Sequence, residues 1–231
     1  MSAFKFYEST VGRKFVTGLA GILLVGFLFV HLGGNLTMLV SGGLFNNYTH
    51  HLESLGVLLY IVEIVLLGIF VAHIVTALNV QLEKRRARPK GYAVNASKGA
   101  PSRQTLASRS MIVTGLVLLV FVPVHVWMFK FNQGQPSPTM MHNGKEIRDL
   151  YGIVVTAFKQ PLIAWGYAAV MFLLGFHLRH GFWSAFQSMG ALNRRLLPAA
   201  YALGLLVALL LASGFILLPL WIHYVTPAPG L

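Results

Sequence analysis

The sequence predicts an all-α integral membrane protein in which five helices cross the bilayer as one bundle. Of the 231 residues, 56% are apolar and only 10% are charged, whereas a soluble domain carries about 25% charged residues. Five apolar segments reach the length of about 20 residues that a helix needs to cross the hydrocarbon layer. Cysteine is absent, so disulfides, cysteine-bound metal clusters and thioether-linked cofactors are excluded.

The five predicted spans cover residues 15–40, 54–81, 110–130, 161–187 and 198–222. The two longest connections, 82–109 and 131–160, have too little apolar length for a sixth span. No internal repeat is evident, so residues 1–231 are expected to form a single membrane domain. The first apolar run is too long for the apolar region of a cleavable signal peptide.

The lysines and arginines predict the direction of the helices. Only four of the 18 lie on the side of the third connection: Lys130, Lys145, Arg148 and Lys159. The others lie at the opposite helix ends: Lys5, Arg13, Lys14, Lys84, Arg85, Arg86, Arg88, Lys90, Lys98, Arg103, Arg109, Arg179, Arg194 and Arg195. Cytoplasmic loops carry the excess of basic residues, which predicts a cytoplasmic N-terminus and an external C-terminus in the cytoplasmic (inner) membrane of a bacterium. The net charge of +12 is then a property of loops and does not indicate nucleic acid binding.

Histidines lie inside four of the five spans, where ionisable or metal-ligating side chains are functional candidates by default. At 1.5 Å per residue, His31 and His125 lie about 25 Å from the cationic ends of outward-running helices, and therefore in the outer half of the bilayer. His73 and His177 lie on inward-running helices and share the inner half. The four histidines thus form two pairs at two depths.

Two imidazoles from two helices can hold one haem iron from both sides. The depths therefore predict an outer haem on His31 and His125 and an inner haem on His73 and His177. The alternative is that each histidine hydrogen-bonds a neighbouring helix. His180 adds a second ambiguity, because it follows His177 by three residues and lies on nearly the same face. One of the two would bind iron, and the other could donate to a propionate or stabilise a quinone.

The chain resembles the cytochrome b558-type membrane anchor of succinate:menaquinone and fumarate reductases, in its single-anchor form with five helices and two haems. The motifs are His31 in FLFVHLGGN, His73 in EIVLLGIFVAHI, His125 in VPVHVW and the block FHLRHGFWSAFQSMG from Phe176 to Gly190. The resemblance covers all five spans. The spacing from His177 to Gly181 is similar to the His-x-x-x-Gly pattern of an inner haem ligand in this family, which favours His177 over His180.

The resemblance implies a place in a larger complex. The family pairs helices one and three around the outer haem and helices two and four around the inner haem. A flavoprotein subunit with FAD and an iron–sulfur subunit would dock on the cytoplasmic face. Electrons would pass between them and menaquinone in the bilayer through two haems b. The chain would thus be the quinone-reactive subunit of a succinate dehydrogenase or fumarate reductase and would not itself bind succinate.

Quinone chemistry also needs a group that exchanges protons. In this family a carboxylate near the outer haem has that role, and Glu53 and Glu63 are the two candidates here. Glu63 could instead be a neutral acid hydrogen-bonded across helices. Tyr48, His50 and His51 lie beside Glu53 and could line a quinone pocket, although ordinary loop polarity explains them as well.

Two other functions remain compatible with the sequence. The chain could be the dihaem b subunit of a hydrogenase or formate dehydrogenase, which also exchanges electrons with quinone. It could also be a transporter that relays protons through histidines without haem. The absence of an inverted repeat or of a pair of half-helices disfavours the transporter.

Overall fold

The computed structural model describes residues 9–87, 105–142 and 144–227. The helices in these ranges are α1 (Thr10–Leu36), α2 (Gly42–Ser54), α3 (Val57–Ala87), α4 (Leu106–Phe129), α5 (Leu150–Lys159), α6 (Pro161–Ser188) and α7 (Leu197–Tyr224). A short hairpin of β1 (Thr139–His142) and β2 (Lys145–Arg148) precedes α5. Five of the helices, α1, α3, α4, α6 and α7, are long and apolar enough to cross a membrane. The prediction of five long apolar helices is confirmed.

Each of these helices extends beyond its predicted span at one end or both, and the largest extensions are at the start of α1 and the end of α3. Helix α1 begins at Thr10, before the predicted start at 15, because the Ser9 hydroxyl accepts a hydrogen bond from the Gly12 N–H at 2.9 Å and caps the helix. Helix α3 continues past 81 to Ala87, so that its last turn contains basic side chains. Cations are favourable there because they face the negative end of the helix dipole. Five basic residues used to predict orientation lie outside the described residues: Lys5, Arg88, Lys90, Lys98 and Arg103.

The connection 131–160 contains regular structure rather than only the loop that the sequence predicted. Strands β1 and β2 pair antiparallel, with Thr139 opposite Arg148. Asp149 then caps α5 by accepting from the Gly152 N–H at 2.9 Å. Helix α2, in the first connection, is capped in the same way by Ser41. Both helices are too short to span the bilayer, which is why a search for apolar spans did not find them.

A buried asparagine joins α2 to the segment that follows the hairpin. Asn46 is 1% exposed, and its amide N–H donates to Asp149 Oδ1 at 2.7 Å. Its carbonyl oxygen accepts from the Tyr151 N–H at 2.8 Å. One side chain of α2 thus satisfies two polar groups of the third connection, a carboxylate and a backbone N–H, and holds α2 to the start of α5.

The chain forms two compact units. Counted over the described residues alone, the first comprises Met1–Phe27, Ile64–Ile112 and Phe176–Ala208, and the second comprises Leu28–Glu63, Val113–Gly175 and Leu209–Leu231. The first unit has a small apolar core of Trp183, Leu197 and Ala200. The core of the second unit contains Met38, Phe45, Val154, Val155, Phe158, Ala164, Leu218 and Ile222. Each unit contains one of the predicted histidine pairs.

Candidate functional site

The first unit brings the rings of His73 on α3 and His177 on α6 close together in an edge-to-face arrangement. Their ring centroids are 6.3 Å apart, with 69° between the ring planes. His73 Nδ1 lies 3.1 Å from the backbone oxygen of Thr17 on α1. A carbonyl oxygen can only accept, so Nδ1 carries the proton and Nε2 of the neutral ring keeps its lone pair. This is the arrangement by which a carbonyl commonly orients a metal-binding histidine.

Helix α1 provides a close-fitting surface for His73. A Cβ added at Gly21 would lie 3.3 Å from His73 Cε1, so glycine at this position allows the ring to approach the helix backbone. One turn earlier, the hydroxyl of Thr17 lies 2.7 Å from the hydroxyl of Thr76, which is itself buried. The ring is therefore held both by shape and by hydrogen bonding, and sequence reasoning did not find either contact.

The His180 ring has a different aromatic neighbour from the His73 and His177 rings. Its ring makes an edge-to-face contact with Trp183 at 5.1 Å between centroids. Within the described residues, nothing hydrogen-bonds its buried Nδ1. The structure thus brings His177 opposite His73 and places His180 against an aromatic ring.

The second unit brings together the other two histidines. The ring centroids of His31 on α1 and His125 on α4 are 5.8 Å apart, and the ring planes are nearly perpendicular at 88°. Phe215 on α7 packs against the His31 ring at 5.9 Å. Asn35 donates to the backbone oxygen of His31 at 2.8 Å, which adds a local bond near the end of α1.

His125 is surrounded by aromatic rings. Phe121 stacks on it at 5.6 Å, and Phe129 approaches at 5.4 Å. Tyr167 on α6 has its ring centroid 6.0 Å away and its hydroxyl 3.4 Å from His125 Nδ1. These rings exclude water and restrict the orientation of the imidazole, and Tyr167 can act as the polar partner of Nδ1. Sequence reasoning did not single out Tyr167, because nothing in its local pattern shows that it faces His125.

Both pairs fit the ligand requirements of a bis-histidine haem. Metal–imidazole bonds of about 2 Å on each side, together with the two ring radii, separate the ring centres by about 6 Å. The observed separations are 5.8 Å and 6.3 Å. No group of three or more His, Cys, Asp or Glu residues among the described residues is arranged to hold a metal ion. The two-ligand sets therefore have the number, chemistry and spacing that an iron already held by four porphyrin nitrogens needs.

The two candidate carboxylates each lie beside a cation near the third connection. Glu63 forms an ion pair with Lys130, whose ammonium group also lies 5.7 Å from the centre of the Tyr60 ring. Its partner is thus a cation and not a neutral group on a neighbouring helix. Glu53 lies 3.6 Å from Arg148, which also donates to the backbone oxygens of Phe129 and Lys130. The two carboxylates are therefore linked to the same end of α4.

The other candidates near Glu53 have different surroundings. The Tyr48 ring packs on the backbone of α1, where a Cβ at Gly34 would lie only 2.6 Å from it. His50 and His51 lie near one another, with ring centroids 6.4 Å apart. Neither histidine belongs to the His31–His125 pair or the His73–His177 pair.

A cavity of about 270 Å³ lies in the second unit and was not predicted from the sequence. Its lining residues are Met128, Asn132, Gln133, Pro138, Gly152, Ile153, Thr156, Ala157, Gln160 and Ile163. Asn132 and Gln133 have left-handed backbones, with φ of 45° and 55°, which non-glycine residues seldom adopt and which cluster at binding sites. Met128 connects the cavity to the surroundings of His125. Its sulfur accepts from the hydroxyl of Tyr167 at 3.6 Å, and the same hydroxyl lies 3.4 Å from His125 Nδ1.

In comparisons with known proteins, no family model matches the chain, and neither does a curated protein or a solved structure. The resemblance to cytochrome b anchors therefore rests on the motifs around the histidines.

Proposed function

We propose that this chain is the cytochrome b membrane anchor of a succinate:quinone oxidoreductase and passes electrons between cytoplasmic flavin and iron–sulfur subunits and a quinone in the bilayer. The observation that carries the proposal is the pairing of four intramembrane histidines, His31 with His125 at 5.8 Å and His73 with His177 at 6.3 Å. Histidines that relay protons do not need to lie in pairs about 6 Å apart, whereas the two ligands of one haem iron do. The pairing therefore favours haem ligation over a transporter.

The residues around each pair have defined tasks in this proposal. A bound haem would supply one-electron transfer at a six-coordinate iron with no open position for oxygen. The Thr17 carbonyl keeps His73 in the tautomer whose Nε2 can bind metal. The Phe121 and Phe129 rings exclude water around His125, and Tyr167 provides its polar contact.

We assign the quinone head group to the cavity in the second unit. Its volume of about 270 Å³ is close to the lower end of about 300 Å³ for small-molecule sites, and such sites combine apolar walls with a few polar groups. Gln133, Thr156 and Gln160 line it and offer uncharged hydrogen-bond donors to quinone carbonyls. The Glu63–Lys130 and Glu53–Arg148 pairs are the candidates for proton exchange.

The decisive experiment is a reduced-minus-oxidised spectrum of the purified complex, with haem quantified as the pyridine haemochrome. We expect two b-type haems per chain. His31→Ala should remove the outer haem alone and His73→Ala the inner haem alone. His51→Ala, a change of an exposed histidine outside the pairs, should retain both haems.

A flat difference spectrum would refute the proposal and leave the proton-relay transporter. The soluble partners test the rest of the assignment. Co-purification with a flavin-containing subunit supports a succinate:quinone oxidoreductase. A partner that contains nickel or molybdenum would instead assign the chain to a hydrogenase or formate dehydrogenase.

A further inference from the structure

Two buried polar atoms without a protein partner lie beside the same tryptophan in the first unit. Among the described residues, none hydrogen-bonds His180 Nδ1 or the hydroxyl of Tyr201. Both rings contact Trp183, His180 at 5.1 Å and Tyr201 at 4.4 Å between centroids, and Trp183 is only 6% exposed. Leaving a buried polar group unsatisfied costs about 1–3 kcal/mol, so two such atoms at one place indicate a ligand that accepts hydrogen bonds.

The position of these atoms indicates which ligand it is. His180 lies one helical turn after His177, towards the C-terminal end of α6, and Tyr201 lies near the N-terminal end of α7. The connection between those two ends contains Arg194 and Arg195. A haem bound by His177 would carry propionate carboxylates, which are costly to place in hydrocarbon. These carboxylates would therefore be directed towards this cationic end.

We propose that His180 and Tyr201 bind a propionate carboxylate of the inner haem. The inference rests on the proposed function, because it requires a haem between His73 and His177. The imidazole N–H of His180 and the phenol O–H of Tyr201 donate to the carboxylate oxygens, and Trp183 positions both rings. In this proposal His180 hydrogen-bonds a propionate of the haem and does not bind the iron.

The proposal is tested by measuring the midpoint potential of the inner haem in the variants Tyr201→Phe and His180→Phe. Each variant keeps an aromatic ring beside Trp183 but removes the hydrogen-bond donor to the propionate. Without the donors, the carboxylate charge near the iron is less compensated, which favours the ferric form. We expect the ferric-to-ferrous ratio at a fixed ambient potential to rise about three- to tenfold in each variant, where tenfold corresponds to about 59 mV for one electron. Two haems per chain should remain.

The matched control is Tyr224→Phe, the same change at the other end of α7, where the hydroxyl accepts from Trp165 Nε1 at 3.2 Å. It should leave the inner potential unchanged. Resonance Raman spectra provide a second readout, because the propionate bending band should shift in Tyr201→Phe and not in Tyr224→Phe. The complex reconstituted with the dimethyl ester of haem should have the same inner potential with and without Tyr201→Phe.

Three results would overturn the inference while leaving the proposed function intact. The first is an unchanged inner potential in both variants with two haems present. The second is loss of the inner haem in His180→Phe but not in His177→Ala, which would make His180 the iron ligand. The third is a Tyr201→Phe shift that persists with the esterified haem, which would assign the donors to another ligand such as quinone. A wild-type chain without haem would instead refute the proposed function itself.

Discussion

Replacing Gly21 with leucine should displace the proposed inner haem and leave the proposed outer haem bound. A Cβ at this position would lie 3.3 Å from Cε1 and 3.5 Å from Nδ1 of His73. The same Nδ1 donates to the Thr17 carbonyl at 3.1 Å, so the steric pressure acts on the hydrogen bond that orients the ring. Alanine requires the ring to move by a few tenths of an ångström. Leucine adds three more carbons in the same direction and cannot be accommodated without rotating the ring.

The expected magnitude follows from the loss of an orienting contact to His73, the proposed metal ligand. Such losses weaken metal affinity about 10- to 100-fold, which corresponds to about 1.4–2.8 kcal/mol. We expect Gly21→Ala to weaken binding of the inner haem by the lower value or less, and Gly21→Leu to weaken it by the upper value or more. The assay is haem stoichiometry of the purified complex, together with the rate at which apomyoglobin extracts each haem. Gly21→Leu should reduce the stoichiometry from two haems towards one.

Gly26, on the same helix, provides the matched control. A Cβ added there meets no atom of the described residues within 4 Å, so Gly26→Leu should retain two haems and normal extraction rates. If Gly21→Leu kept both haems with unchanged extraction rates, the assignment of His73 as an inner ligand seated on α1 would be wrong. Equal losses in the two variants would show that leucine disturbs α1 itself rather than the ring.

Three further predictions concern the second unit. Asn46→Ala removes the partner of the Tyr151 N–H and one of the two donors to the Asp149 carboxylate. It should cost about 2 kcal/mol of stability, measured by thermal unfolding. Asn47→Ala is its neutral control, and equal losses would contradict the role of Asn46. Thr156→Phe should fill the cavity and raise the quinone KM about tenfold or more with normal haem spectra, whereas an unchanged KM would place the quinone elsewhere. Glu63→Gln and Glu53→Gln separate the two candidate proton donors: loss of acid–base catalysis should lower quinone turnover about 100-fold or more. Normal rates in both would remove both from the proton path.

The long helices could be predicted from the sequence because burial in lipid imposes a simple requirement on composition. About 20 consecutive apolar residues are needed, and each of the five segments meets that condition. The histidine pairs could be predicted for a related reason. A fixed rise per residue converts sequence distance into depth, and the direction of each helix follows from the basic residues. Both steps use local information only.

The parts that were missed depend on shorter signals or on tertiary contacts. Helices α2 and α5 have 13 and 10 residues, so a search by span length cannot detect them. Their starts were nevertheless marked by Ser41 and Asp149, both of which are common N-cap residues. The Asn–Gly pair at 143–144 is a strong hairpin signal between strands. Cap and turn rules applied to residues 41–56 and 131–160 predict most of this structure.

The contacts that orient the histidines could not be predicted in this way. Tyr167 lies 42 residues from His125 along the chain, and Thr17 lies 56 residues from His73. Which residues meet across two helices depends on the rotation of each helix about its axis, and a uniformly apolar helix has no polar face that would fix that rotation. The sequence could therefore supply the candidate ligands but not the groups that hold them.

The acidic residues increase the difference in net charge between the two predicted sides of the bundle. The positive-inside rule counts only Lys and Arg, and four of these lie on the predicted outer side. That side also contains four of the six acidic residues: Glu53, Glu63, Glu146 and Asp149. Its formal charge is therefore zero, and the whole net charge of +12 lies on the predicted cytoplasmic side. The structure also pairs two of the cations on the predicted outer side with acids, so only the predicted cytoplasmic side is expected to have the strong positive potential that attracts anionic lipid and acidic protein surfaces.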